Sequence, residues 1–561
     1  RIVKARPELI VKKLVQQQLP LRSGESFTVP ACIAAFTDEK DDSMSRLHPD
    51  ETFTALNDTV ITLYCAVKDT SAETPNYTDL LNPQTAPQFI QNCYEYLKAL
   101  AGSYFGDTVP IIFFDEPAVH VPPWTDDLVE SFAAEKGYDI RERIWQLFDP
   151  ERTDNQVRVD YFDWWTRRLA DHFFGPVQAW CQKNNVLFTG HFGGDDYTMG
   201  NSNHGYGHIM RLLRKADIPC VDAIWRQIWP GMRELCDSRT EAPNHHFPKY
   251  ASSVAHQEDR TWSGTESFAV YGSGLSLDNM KWITDYQYVR GINLMTLSNA
   301  VSSSRDYFMG RIRPTFLPLE ASPLNAYMDL YHTYTARLSY LLSRGRPLLD
   351  TALYFPVRDV WAGGQKAVAA AAAHDELAEN LLRHQCDFDL IDDDVLGDPA
   401  TIVQSGCLCA GPMRYRTVYV ARCAWLTSEA RAKLTAFGEA GGQLIWVGPA
   451  GDDAKPDGAL AVSPDSLADV VRPLIQAEPP QPQLRVCARE LDEGRLYFLS
   501  NEATTPLACT VTFAEDRPLY RLDAESAQVW QSQAARKQAG GWQLPLQLPF
   551  AGSCFVYFGV E

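Results

Sequence analysis

The sequence predicts an α/β protein: a (β/α)8 TIM barrel followed by a flavodoxin-like α/β domain and a small C-terminal β-sandwich. Between about residues 105 and 300, short apolar runs of strand type alternate with segments of helical periodicity, the rhythm of βα units around a parallel sheet. After "LLSRGRP" a second strand and helix alternation begins, and the last eighty or so residues hold only short strands separated by turn residues. The expected boundaries are 1–345 for the barrel, 346–475 for the α/β domain and 476–561 for the sandwich.

Four barrel strands stand out: "PIIFFDE" ending at Glu116, "VLFTGHF" ending near His191, "TWSGTESFA" carrying Glu266, and "GINLMTLSNA" ending near Asn299. A weaker one, "VDAIWRQ", precedes the third. "TDDLVESFAAEKGY" reads as a helix with acidic residues in its first turn, and "YFDWWTRRLADHFFGPVQAWCQKN" places its apolar residues on one face. Upstream, "ACIAAF" and "TVITLYCAV" read as strands and residues 87–100 as a helix, but the opening strands of the barrel are indistinct. In the second domain, residues 350–356 form a strand, "DELAENLLRHQCDFDLIDDDVL" a helix and turn, "TVYVA" a strand, and "SEARAKLTAFGEAGGQLIWVG" a helix and strand pair. The Pro, Asp, Gly and Ala between Gly448 and Pro482 read as a linker with one helix inside it.

At 561 residues the chain exceeds one ordinary core. Its 51 basic against 71 acidic side chains leave a net charge of −20 and no cationic block to track phosphates, which argues against nucleic acid as a partner. No apolar run reaches the ~18 residues a membrane helix needs, so no membrane partner is expected. The 13 cysteines, odd in number and mostly within apolar runs, read as reduced buried thiols. A cytoplasmic location follows from them, with secreted or periplasmic left open because the chain begins with Arg. A homo-oligomer through the α/β domain is also expected.

The chemistry is expected at strand ends. "IIFFDEPAV" is apolar until Asp115, Glu116 and Pro117, where two carboxylates arrive together and proline stops the strand. On its own this segment reads equally well as a solvated loop. "WSGTESFAVYG" supplies a second strand-end carboxylate, Glu266, whose bland alternative is a structural pair with an arginine such as Arg226. Hydrolysis of a glycosidic bond needs two carboxyl groups, one to protonate the departing oxygen and one to attack or to activate water. Glu116 and Glu266 are therefore the expected catalytic pair, with a carbohydrate as substrate. Asp115, His191, Trp225, Arg226, Trp229, Tyr271 and Asn299 are expected to position the sugar, the aromatic rings by stacking on its C–H faces. No metal site or cofactor is expected, calcium on Asp195 or Asp196 of "HFGGDD" being the one candidate. The rival readings are a catalytically silent carbohydrate-binding barrel and a metal-dependent barrel hydrolase using His191, Asp195 and Asp196.

"FFDEP", "LFTGHFGG", "GTESFAVYGSGLSLDNMKWITDYQYVRGINLM" and "RLSYLLSRGRP" together resemble clan A type glycoside hydrolases, in particular the α-L-rhamnosidase-like barrel proteins. The domain order resembles that of microbial β-galactosidases. The resemblance runs from about residue 75 to the end and is most specific between Glu266 and Asn299. It implies an acid/base at the end of the fourth barrel strand and a nucleophile at the end of the seventh, which count to Glu116 and Glu266. Asp115 departs from the Asn that usually precedes the clan A acid/base. The rhamnosidase relatives invert and use calcium whereas clan A β-glycosidases retain; retention is the expected outcome here.

Overall fold

The structure, a computed structural model of the chain, describes every residue except 1, 39–43, 69–76, 118, 120, 152–154, 193–205, 225, 232–244, 273, 299, 302–316, 319–322, 450, 452–453 and 561. It divides into two compact units. The first comprises residues 1–188, 203–216 and 358–368, and the second residues 189–202, 217–357 and 369–561.

The first unit opens with an antiparallel sheet in the order Met44–Leu47, Ala34–Asp38, Thr59–Lys68, Lys12–Leu21 and Pro123–Trp124. The β-branched run at the start of Thr59–Lys68 suits a pleated, half-buried surface, and Ile61 and Leu63 pack with Val29, Ala35 and Leu47 beneath it. These are the "ACIAAF" and "TVITLYCAV" runs, and their antiparallel pairing removes them from a parallel barrel wall. A long helical stretch follows from Gln156–Arg168 through a π segment, Leu169–Phe174, into Gly175–Lys183. Its Trp164 and Trp165 are wholly buried, core as their helical spacing suggests. The strand Ile111–Asp115 alternates: Ile112 and Phe114 face inward, Phe114 lying 4.8 Å from the Phe188 ring, while Ile111, Phe113 and Asp115 are exposed.

In the second unit the strands Ile218–Ala223, Gly264–Ser267 and Leu294–Leu297 pair in parallel, and Thr189 and Gly190 pair with Ile218 and Pro219 on the opposite side. Ile218–Ala223 is buried at every position, as a parallel strand covered on both faces must be. The fold is thus α/β with a curled parallel sheet, the part of the expected (β/α)8 barrel that these strands form.

A second parallel sheet has the order Asp389–Ile391, Thr351–Tyr354, Thr417–Ala421, Gln443–Val447, Leu460–Val462. That is sequence order 2-1-3-4-5, a doubly wound arrangement. Its last strand falls in the stretch read from sequence as linker; only three residues long and partly exposed, it carries too little apolar signal to be seen there. Two antiparallel sheets close the chain, one of six strands and one of four. Between them Leu484, Val486, Val511, Phe513, Leu544, Leu546 and Val556 share one core. Nine of the twelve described cysteines are buried and all twelve are free thiols. No helix among the described residues is long and apolar enough to cross a membrane.

Candidate active site

The register of the parallel sheet sets the site. Asp222 pairs with Glu266, and Glu266 with Thr296, so these residues stand at one level near the carboxyl ends of three strands. Side chains alternate along a strand, and here the alternation assigns two jobs. Thr265 and Ser267 point to the Leu277–Tyr288 helix, where Thr265 Oγ1 donates to Gln287 Oε1 at 2.6 Å and Gln287 Nε2 donates to Ser267 Oγ at 3.1 Å. Glu266, between them, points to the other face and keeps part of its side chain exposed.

There the Glu266 carboxylate meets His191. Nε2 of His191 lies 2.7 Å from Oε2 of Glu266, and the imidazole is buried. Burial pushes the Glu266 carboxyl up, but hydrogen bonds from His191 and Ser298 outweigh it and hold the group below the usual carboxylate range. Glu266 is therefore ionised at neutral pH. An ionised carboxylate only accepts, so Nε2 of His191 carries the proton in this contact.

Asp222 completes the group. It is 2% exposed, and its carboxylate lies with the donor atoms of His191 and Glu266 inside a sphere of contacts no longer than 4.8 Å. Sequence reading passed over Asp222 and Ser298. The signal for Asp222 was a carboxylate set among apolar neighbours in "PCVDAIW"; for Ser298, a hydroxyl beside a strand end offers none.

Arg226 follows the Ile218–Ala223 strand with a left-handed backbone, φ 62°, and its Nε donates to the Tyr271 carbonyl at 3.1 Å. It is engaged there, and Glu266 takes His191 and Ser298 instead of the arginine. The Arg226 guanidinium also lies 5.9 Å from the centre of the half-buried Trp229 ring. Tyr271, expected among the sugar contacts, is wholly buried: its hydroxyl accepts from the Ile228 N–H and donates to the Ile228 carbonyl, 3.2 and 2.9 Å. The tyrosine thus braces the turn that carries Arg226 and Trp229 from behind. Phe268 and Val270, just past Glu266, also have positive φ, 79° and 65°. Such conformations cost on the order of 1 kcal/mol or more each and persist where surrounding structure dictates them, characteristically around functional clefts.

Glu116 lies in the first unit. It is exposed, follows the Ile111–Asp115 strand with φ 45°, and precedes Pro117; Asp115 beside it is exposed as well. Trp225, Asn299, Asp195 and Asp196 lie outside the described residues. As for a metal, His191, Asp222 and Glu266 offer one nitrogen and two carboxylates. Calcium takes six to eight oxygens, and Nε2 of His191 already faces Oε2 of Glu266, so these three do not by themselves make a calcium cage.

The rhamnosidase from Novosphingobium sp. PP1Y superposes with a TM-score of 0.68 at 18% identity, over 93% of this chain and 52% of its own. This chain thus spans about half the length of that relative. A GH42 beta-galactosidase from G. stearothermophilus superposes with a TM-score of 0.57 at 10% identity, over 100% of this chain and 86% of its own. Alpha-L-fucosidase isoenzyme 2 from Paenibacillus thiaminolyticus gives 0.53 at 11% identity, over 100% of this chain and 86% of its own. At such identities the likeness is one of fold. No curated protein matches the sequence. The model of glycoside hydrolase family 106, alpha-L-rhamnosidase, matches residues 69–475, well over half of the sequence, and the chain belongs to that family.

Proposed function

We propose that the chain carries the hydrolytic site of an exo-acting glycosidase that releases a terminal sugar, α-L-rhamnose, from an oligosaccharide or glycoside. The single observation that carries this reading is the carboxylate of Glu266, ionised at a strand end by His191 and Ser298 beside buried Asp222. Family membership supplies the substrate class. In the proposed reaction Glu116, as the carboxylic acid, protonates the glycosidic oxygen as the bond to the anomeric carbon breaks. Water attacks that carbon while the Glu266 carboxylate takes its proton, giving the free sugar and the departing alcohol. The retention expected from clan A β-glycosidases gives way here to inversion, because the resemblance to rhamnosidases, which invert, is the one that the family match supports. Arg226 and Trp229 line the loop proposed to hold the sugar, with Trp225 and Asn299 as further proposed contacts.

A panel of nitrophenyl glycosides tests the reading. Turnover of the α-L-rhamnoside above the β-galactoside and α-L-fucoside, with the inverted anomer appearing first by NMR, is the expected result. Absence of turnover on every sugar, with thermal stabilisation by rhamnose, would replace hydrolysis with binding alone.

The hydrogen bond from His191 makes a prediction about pH. In the native site the Glu266 carboxyl lies below its usual range, so its ionised form is lost only when pH falls through that depressed value. His191→Ala removes the strongest of the lowering contacts and leaves burial, which raises the pKa, opposed only by Ser298. The acid limb of the kcat/KM profile should therefore move to higher pH, with a larger loss at pH 5 than at pH 7. An acid limb that stays in place would show that His191 does not set the Glu266 charge.

A further inference from the structure

Two loops leave the parallel sheet of the second unit at the level of Glu266, one after Ile218–Ala223 and one after Gly264–Ser267. The first carries Arg226 and Trp229, the second Phe268, Val270 and Tyr271. Hydrogen bonds cross between them. The Phe268 N–H donates to the Ala223 carbonyl at 3.2 Å, and Nε of Arg226 donates to the Tyr271 carbonyl at 3.1 Å. The Tyr271 hydroxyl adds two more, accepting from the Ile228 N–H at 3.2 Å and donating to the Ile228 carbonyl at 2.9 Å. Inside the second loop the Tyr271 N–H closes a turn on the Phe268 carbonyl, also at 3.2 Å.

This bonding gives a reason for backbone that is otherwise unfavourable. Arg226, Phe268 and Val270 are all left-handed, a conformation that residues with a Cβ adopt rarely. Gly272 takes φ 81° without that penalty, and a Cβ there would come 3.5 Å from Nη2 of Arg226, so the guanidinium lies close along the second loop. Strained residues persist where the surrounding structure over-determines them. Tyr271, wholly buried, stands where the two loops meet. Its ring centre is 6.1 Å from that of Trp229 and 5.7 Å from that of Phe268, and the Arg226 guanidinium lies against the far end of this aromatic row, on Trp229.

We propose that Tyr271 is a positioning residue for the hydrolysis: through its hydroxyl it holds Arg226 and Trp229 as one platform for the terminal sugar. The planar guanidinium offers donors to sugar hydroxyl groups, and the indole offers a surface to a C–H face. This role rests on the glycosidase reading of the site. Holding the loop in its binding conformation lowers the cost of ordering it when sugar arrives, so the effect falls on sugar affinity. Glu266 takes its own hydrogen bonds from His191 and Ser298, so the charge of that carboxylate does not run through the Tyr271 hydroxyl.

The test compares the full chain with Tyr271→Phe, which keeps the ring and removes the hydroxyl. On nitrophenyl α-L-rhamnoside, KM should rise about 3–10-fold, the range of one lost hydrogen bond, with kcat within about twofold of native. Hydrogen exchange over residues 226–231 should quicken while circular dichroism stays native. Arg226→Lys should raise KM as well, and the double variant should fall short of the product of the two effects, because both act on one platform. A native KM in Tyr271→Phe, a fall in kcat at unchanged KM, or fully multiplicative effects in the double variant overturns the proposal. Should Tyr271→Phe misfold, Gly272→Ala, which strains the same loop beside Arg226, takes its place, and an unchanged KM there counts against the role. A native chain that neither turns over the rhamnoside nor binds rhamnose in calorimetry defeats the glycosidase reading itself, and the positioning role with it.

Discussion

Glu266→Gln is expected to lower turnover of nitrophenyl α-L-rhamnoside by at least about 10³-fold, with Tm within about 2 °C of the native value. The substitution keeps the size of the side chain and an oxygen that can accept from His191 or Ser298. It removes the charge, and an amide can neither take a proton from water nor attack an anomeric carbon. Partial exposure of the side chain means that no buried charge is left uncompensated. Steady-state kinetics together with a thermal melt separate the chemical role from a structural one. A Glu266→Gln protein that melts normally and turns over within tenfold of native would remove Glu266 from the mechanism.

Asp163→Asn is expected to destabilise the chain by about 3–5 kcal/mol, the cost of removing one partner from a buried ionic cluster. Asp163 sits on Gln156–Arg168, and four cations converge on its carboxylate: Lys136 at 2.7 Å, Arg211 at 2.9 Å, Arg167 at 3.1 Å and Arg358 at 3.5 Å. Burial raises the Asp163 carboxyl, but Arg211, Arg358, Arg167 and Lys136 together pull it well below the ordinary range. The sign of the pH dependence follows. The stabilisation is present at pH values above the unfolded-state pKa and is lost as pH falls through the depressed native value. Denaturant melts at pH 7 should show the full loss in Asp163→Asn, and the gap from native should narrow in strong acid. A loss below about 1 kcal/mol at pH 7 would mean that the cluster is held by packing alone.

The site was partly legible before any coordinates. Glu266 and His191 were visible because each is a polar residue at the end of an apolar run, where barrel strands present functional groups. That they touch was not visible: 75 residues separate them, and only the order of the parallel strands and their register bring Nε2 of one to Oε2 of the other. Tyr271 shows the opposite error. An aromatic residue near a strand end reads as a sugar platform, yet its hydroxyl is spent on the Ile228 backbone, a closure between loops that local spacing does not encode. "TVITLYCAV" was recognised as a strand from its β-branched residues, but not the antiparallel sheet that claims it, because strand propensity carries no information about the partner.

The sequence by itself determined the α/β class, the two strand-end glutamates and the kinship with rhamnosidases, since apolar periodicity and short motifs are properties of neighbouring residues. Tertiary structure alone decided that Glu266 is ionised, that Asp222 stands buried at its level and that Asp163 gathers four cations. Charge states and ligand sets depend on distances of a few ångströms between residues far apart in the chain, and those distances exist only once the core has packed.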